Sequence, residues 1–114
     1  MASIDFKQIL NESFSVSKGI LKDSWNKLEP YAEHEFRQFA ENAEFLATLK
    51  LMGEIGEEEL TARMEIQRLS LKNVLLTIEG IGLVTAQNVV NAVFSIVQKA
   101  VEGALNIALP FGPV

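Results

Sequence analysis

The sequence predicts an all-α fold, an elongated bundle of about four helical segments that is completed by oligomerisation. Apolar residues recur three and four residues apart along most of the 114-residue chain, which is the spacing of one helix face and differs from the alternation of a strand. Glycine and proline separate these stretches and predict helix ends. We therefore expect a single helical domain over 1–114, with segments at about 4–24, 28–52, 57–79 and 83–109.

The first segment has the pattern of an ordinary amphipathic helix. One face carries apolar side chains such as Ile9 and Leu21, and the opposite face carries lysines such as Lys18. Such a helix buries one side against its neighbours and leaves the other side in water.

The second segment is expected to begin near Leu28. Asn26 and Glu29 have capping-box spacing, and Pro30 is tolerable in a first turn. A longer helix kinked at Pro30 is the alternative. The predicted buried face consists of Leu28, Ala32, Phe36, Phe39, Ala40, Ala43, Leu46, Ala47 and Leu51. A smaller apolar patch points nearly the other way and consists of Phe45, Leu49 and Met52.

The third segment starts with three glutamates, which the helix dipole favours at that end. It is apolar on two sides, so we expect it to lie between two neighbours. One side holds Leu60, Met64, Leu71, Val74, Leu75 and Ile78, and the other holds Ala62, Ile66, Leu69 and Leu76. Between them runs a polar stripe that contains Glu65 and Arg68, which we interpret as a solvated face with compensating charges.

The fourth segment carries the most unusual pattern, because no charged residue occurs from Gly80 to Gln98. Its wide apolar arc must be covered by protein or lipid. The opposite side is a heptad-like seam of amides and a hydroxyl, which suits hydrogen bonding between helices better than open water. We therefore predict an interface between chains at Asn88, Val89, Asn91, Val93, Ser95, Val97 and Gln98.

Two alternatives to an assembly protein remain open. The uncharged stretch is long enough to cross a bilayer, so a membrane-associated protein that inserts 74–109 is the first, although Asn88 and Asn91 would be costly in lipid unless paired. The second is a ferritin-like metal-binding bundle. It needs Glu-x-x-His motifs, yet the single histidine, His34, follows Tyr31 at that spacing and lies opposite the predicted buried face. Glu44 and Glu65 come to similar heights in a hairpin, but the neighbouring Arg68 favours a solvated face.

Composition excludes several other classes. A net charge of −5 without a basic stripe disfavours nucleic acid as a partner. The absence of cysteine excludes disulfides, thiolate catalysis and cysteine-ligated metals. The first ten residues lack the pattern of a signal peptide, and the cytoplasm or an assembled particle is the expected location.

The sequence contains no motif that indicates catalysis, a cofactor or a metal site. We therefore predict a non-enzymatic structural or assembly protein that acts through helix–helix contacts, either in a homo-oligomer or with partner helices. The polar seam of the fourth segment would then fix the register, as buried asparagines do in coiled coils.

Overall fold

The computed structural model describes residues 4–111 and confirms the all-α prediction, since these residues contain no strand. The four helices are α1 (Phe6–Leu21), α2 (Trp25–Leu51), α3 (Glu57–Leu76) and α4 (Leu83–Leu105), and a 3₁₀ turn at Lys22–Ser24 joins the first two. The bundle is elongated, with principal extents of 43 × 24 × 19 Å.

The middle of the bundle is formed by α2 and α4, which pack against each other and against both remaining helices. The two flanking helices, α1 and α3, do not pack against each other in the described part of the chain. Each flanking helix therefore needs only one buried side, and this arrangement decides which surfaces stay uncovered.

The predicted start of α2 was wrong. The helix begins at Trp25, because the 3₁₀ turn leads directly into it, and Asn26 lies inside its first turn rather than capping it. Glu29 accepts a hydrogen bond from Trp25 Nε1 at 3.2 Å. Pro30 therefore lies within an unbroken helix, and because proline has no N–H the helix lacks the one bond to the Asn26 carbonyl.

The other helix ends follow from local backbone chemistry. Asp5 accepts a hydrogen bond from the Gln8 amide at 3.1 Å and caps α1. Gly53 follows α2 with a φ of 76°, a conformation that costs glycine little. Asn106 caps α4 with a left-handed φ of 56°, so the helix ends at Leu105, four residues before the predicted end at 109.

The core confirms the predicted buried face of α2 except at Leu51, which is 52% exposed because it is the last residue of the helix. The phenylalanines and alanines of that face are buried, and Phe39 packs on Phe94 of α4 with ring centroids 6.1 Å apart. Small alanine side chains such as Ala40 and Ala47 are fully buried and allow close approach of neighbouring helices. The Phe111 ring closes this cluster at 4.9 Å from the Phe94 ring.

One packing prediction for α3 was wrong. We expected both of its apolar sides to be covered, but Ile66 is 59% exposed and Leu69 is 43% exposed. The reason is topological: α2 and α4 both contact the side of α3 that carries Leu60 and Leu75, and no described helix remains for the other side.

We predict that Ala43→Glu lowers the free energy of unfolding by about 3 kcal/mol or more, because an ionised carboxylate would lose its water in the core without a partner. Ala43 is buried on the core side of α2. The matched control, Glu41→Ala, removes an exposed side chain of the same helix and should change stability by less than about 0.5 kcal/mol. Urea denaturation measures both, and equal midpoints would contradict the assigned face.

Candidate functional site

A buried arginine joins α3 to α4. Arg68 is only 4% exposed and is the one charged residue that is buried within residues 4–111. Its Nη2 donates to Asn91 Oδ1 at 2.9 Å, and its guanidinium lies 4.4 Å from the centroid of the Phe94 ring. Glu65, which is partly exposed, supplies a carboxylate oxygen 3.4 Å from Nη1.

This geometry corrects the prediction of a solvated stripe at Arg68. The residue shares the core side of α3 with Leu60, Met64, Leu71 and Leu75, because steps of three and four residues keep a side chain on one helix face. An amide, a carboxylate and an aromatic ring together compensate the buried charge. These contacts of Arg68 hold α3 and α4 in one rotation relative to each other.

The polar seam of α4 forms its hydrogen bonds within the chain. Asn91 meets Arg68, and Gln98 Nε2 donates to Glu102 at 3.3 Å and to the Leu109 carbonyl at 3.5 Å. The Leu109 amide in turn donates to Glu102 at 2.7 Å. The segment after α4 is thereby held against the seam, while Ser95 is half-buried and Asn88 is exposed.

The valines among the predicted interface residues lie in the core of the single chain. Val89, Val93 and Val97 are fully buried, and α1, α2 and α3 all pack against α4. The apolar arc of α4 is thus covered by this chain's own helices, and apart from Leu83 and Val84 in its first turn the exposed large apolar side chains lie on other helices.

An exposed apolar surface runs along the side of α3 that points away from the core. It consists of five exposed residues, which we name the outer face of α3: Ala62, Ile66, Leu69, Asn73 and Leu76. Phe45 of α2, 59% exposed, lines a groove with Ile66 and Arg63 and extends the apolar area sideways. Four of these five residues, all but Asn73, were predicted to share one side of the third segment. We expected another helix of the same chain to cover that side.

The spacing along the outer face is four, three, four and three residues, which is the heptad pattern of a coiled-coil seam. This heptad spacing is present in the sequence, but it was not recognised as a seam because Asn73 interrupts the apolar series. The preceding seam position is Glu59, which pairs with Arg63 at 2.7 Å. The apolar part of the seam therefore begins at Ala62.

Other exposed apolar side chains do not form a comparable pattern. Leu51 and Met52 lie at the end of α2, Leu83 and Val84 lie at the start of α4, and Tyr31 lies on α2. Scattered exposed apolar residues are normal on protein surfaces. A heptad-spaced apolar stripe over four helical turns is unusual on a protein surface, and this stripe is the candidate site.

The remaining candidate sites show no metal-binding arrangement. Among the described residues, no group of three or more histidine, aspartate or glutamate side chains could hold a metal ion. His34 is exposed on α2.

A search for membrane-crossing segments found none: within residues 4–111, each helix is too short or too polar to traverse a bilayer.

Comparisons of the chain with protein-family models, with curated proteins and with solved structures gave no match.

We predict that Arg68→Ala lowers the free energy of unfolding by about 2–4 kcal/mol, because it removes a charge-assisted hydrogen bond and the contact with the Phe94 ring. The control is Arg63→Ala on the exposed side of the same helix, where the effect should stay within about 0.5 kcal/mol. Thermal or urea melts measure both variants.

The Asn91 partnership can be isolated with a double-mutant cycle. Combining Arg68→Ala with Asn91→Ala should give a coupling free energy of about 1 kcal/mol or more, since the two side chains share one buried hydrogen bond. Strictly additive effects would show that Arg68 stabilises the fold without Asn91.

Proposed function

We propose that this protein is a non-enzymatic assembly protein that associates with further copies of itself through the outer face of α3. The observation that carries the proposal is the heptad-spaced apolar stripe, which lies exposed on the side of α3 away from the core. A stripe of this kind is the half of a helix–helix contact that the chain does not complete by itself.

The apolar residues of the stripe supply the driving force. Ile66, Leu69 and Leu76 are all still exposed, and completing the burial of each large apolar side chain contributes about 1 kcal/mol or more. Association must exceed the loss of translational and rotational freedom, which costs at least about 4 kcal/mol. A contact of this size is therefore expected to depend on protein concentration.

A second copy is the occupant that the pattern favours. The same patch can serve both chains of a two-fold symmetric contact, and a heptad seam is self-complementary because each helix presents both knobs and holes. The alternative occupant, a lipid surface, is favoured by basic residues beside the apolar stripe. Here the flanking charges are of both signs, since Glu58 and Glu65 alternate with Arg63 and Lys72, and the lack of a basic flank supports protein as the partner.

The proposal includes a single domain over 1–114 and a location in the cytoplasm or in an assembled particle. The lack of cysteine supports that location, because small domains in oxidising compartments often depend on disulfides. The acidic net charge of −5 supports a partner other than nucleic acid.

We predict that Ile66→Asp abolishes self-association while leaving the melting temperature of the monomer nearly unchanged. Ile66 is exposed in the monomer, so a carboxylate there is solvated, but it would be desolvated in the middle of a helix–helix contact. Light scattering and sedimentation equilibrium up to high micromolar concentration measure the molar mass, and circular dichroism measures the melt.

The matched control is Val84→Asp, which places the same charge on an exposed apolar residue at the start of α4 (69% exposed). This variant should associate as the wild type does. A wild-type protein that stays monomeric at high micromolar concentration, or an Ile66→Asp variant that associates normally, would refute the proposed function.

A further inference from the structure

We infer that the second copy docks in parallel and in register, so that two α3 helices form a two-stranded pair in which Asn73 faces the partner's Asn73. This inference rests on the proposed self-association and adds its stoichiometry, direction and register. Three features of the described residues support it: the types of apolar residue, the position of Asn73, and the charges beside the seam.

The apolar residue types bear on the number of strands. In heptad notation the outer face places Ile66 at an a position and Ala62, Leu69 and Leu76 at d positions. Among parallel coiled coils, a β-branched residue at a with leucine at d favours two strands over three or four.

Asn73 occupies the second a position of the outer face and is exposed in the monomer. Its amide has donors and an acceptor, and it needs partners once it is enclosed. In a parallel pair in register, a positions face a positions, so the two amides meet and hydrogen-bond. In an antiparallel pair, a positions face d positions, which here are leucine or alanine, and each amide would lose water without a partner.

The charges beside the seam are compatible with the parallel pair. Glu58 at a g position then lies beside the partner's Arg63 at the following e position, an attractive pair. The next two such pairs join Glu65 and Lys72 to Ser70 and Thr77, so neither places like charges together. An antiparallel pair would also gain an attraction, between Glu65 and Lys72, and it is therefore Asn73 that decides the direction.

Disulfide trapping tests the direction and register, since the chain has no cysteine of its own. Glu59→Cys and Leu76→Cys place single thiols at an exposed a position and an exposed d position at opposite ends of the seam, roughly 25 Å apart along the helix. A disulfide needs Cα atoms within about 7 Å. In the parallel pair, each variant by itself should give a disulfide-linked dimer under mild oxidation.

A mixture of the two variants, one carrying a mass tag, extends the test. The parallel pair predicts disulfides between like positions and none between position 59 and position 76, whereas an antiparallel pair brings that a position and that d position into one layer. The matched control is Ser15→Cys on the exposed side of α1, which should remain unlinked. Circular dichroism confirms that each variant is folded, as expected for exposed substitutions.

The outcomes separate this inference from the proposed function. Disulfides between positions 59 and 76 would show an antiparallel pair, and a molar mass of three or more chains would exclude two strands. Either result overturns the inference while self-association through α3 stands. A wild-type protein that is monomeric at high micromolar concentration overturns both.

Asn73→Ile tests the role of the amide directly. Replacing the buried polar pair with apolar side chains should strengthen association and relax direction, so that the disulfide between positions 59 and 76 now appears in the mixed sample. Weaker association, with only the disulfides between like positions retained, would show that Asn73 does not set the direction.

Discussion

Burial of α4 is the constraint on which the rest of the structure depends. Its uncharged, valine-rich arc must leave water, and the chain meets this need by packing α1, α2 and α3 around it. Val93 and Val101 are fully buried as a result. Since α1, α2 and α3 all pack against α4, no helix in the described part of the chain remains to cover the far side of α3. The exposed apolar stripe on α3 is therefore a consequence of how α4 is buried.

The rotation of α3 about its own axis is reinforced by Arg68. A helix with apolar residues on two sides could turn either side inward, and here the side with more large apolar residues, including Leu60 and Leu75, faces the core. The hydrogen bond from Arg68 to Asn91, 2.9 Å long, and the contact with the Phe94 ring exist only in that rotation. The same rotation directs Ile66 outward, since residues two apart on a helix do not share a face. Apolar burial and a buried polar contact thus agree on which face of α3 stays exposed.

Much of the fold could be predicted from the sequence, because three- and four-residue periodicity is a local property. It located the four helices and the buried side of α2, including Phe36 and Ala43. The features that were missed depend on residues far apart in the chain. Arg68 resembles a solvated residue until Asn91, 23 positions later, lies beside it, and the cover of α4 depends on the packing of three other helices. The start of α2 was missed for a local reason, since a 3₁₀ turn replaced the expected cap.

The acidic charge of the chain affects how much of the free energy of association must come from apolar contact. Two copies that each carry −5 repel one another at long range, but at physiological salt this repulsion is screened beyond about 8 Å. Short-range terms therefore dominate, and at the outer face they are apolar burial by Ile66 and Leu69 and the amide of Asn73. A stripe made only of leucine and isoleucine would bind more tightly and with less discrimination. One asparagine within such a stripe reduces affinity and gains a defined register, and that exchange suits the assembly that we propose for this protein.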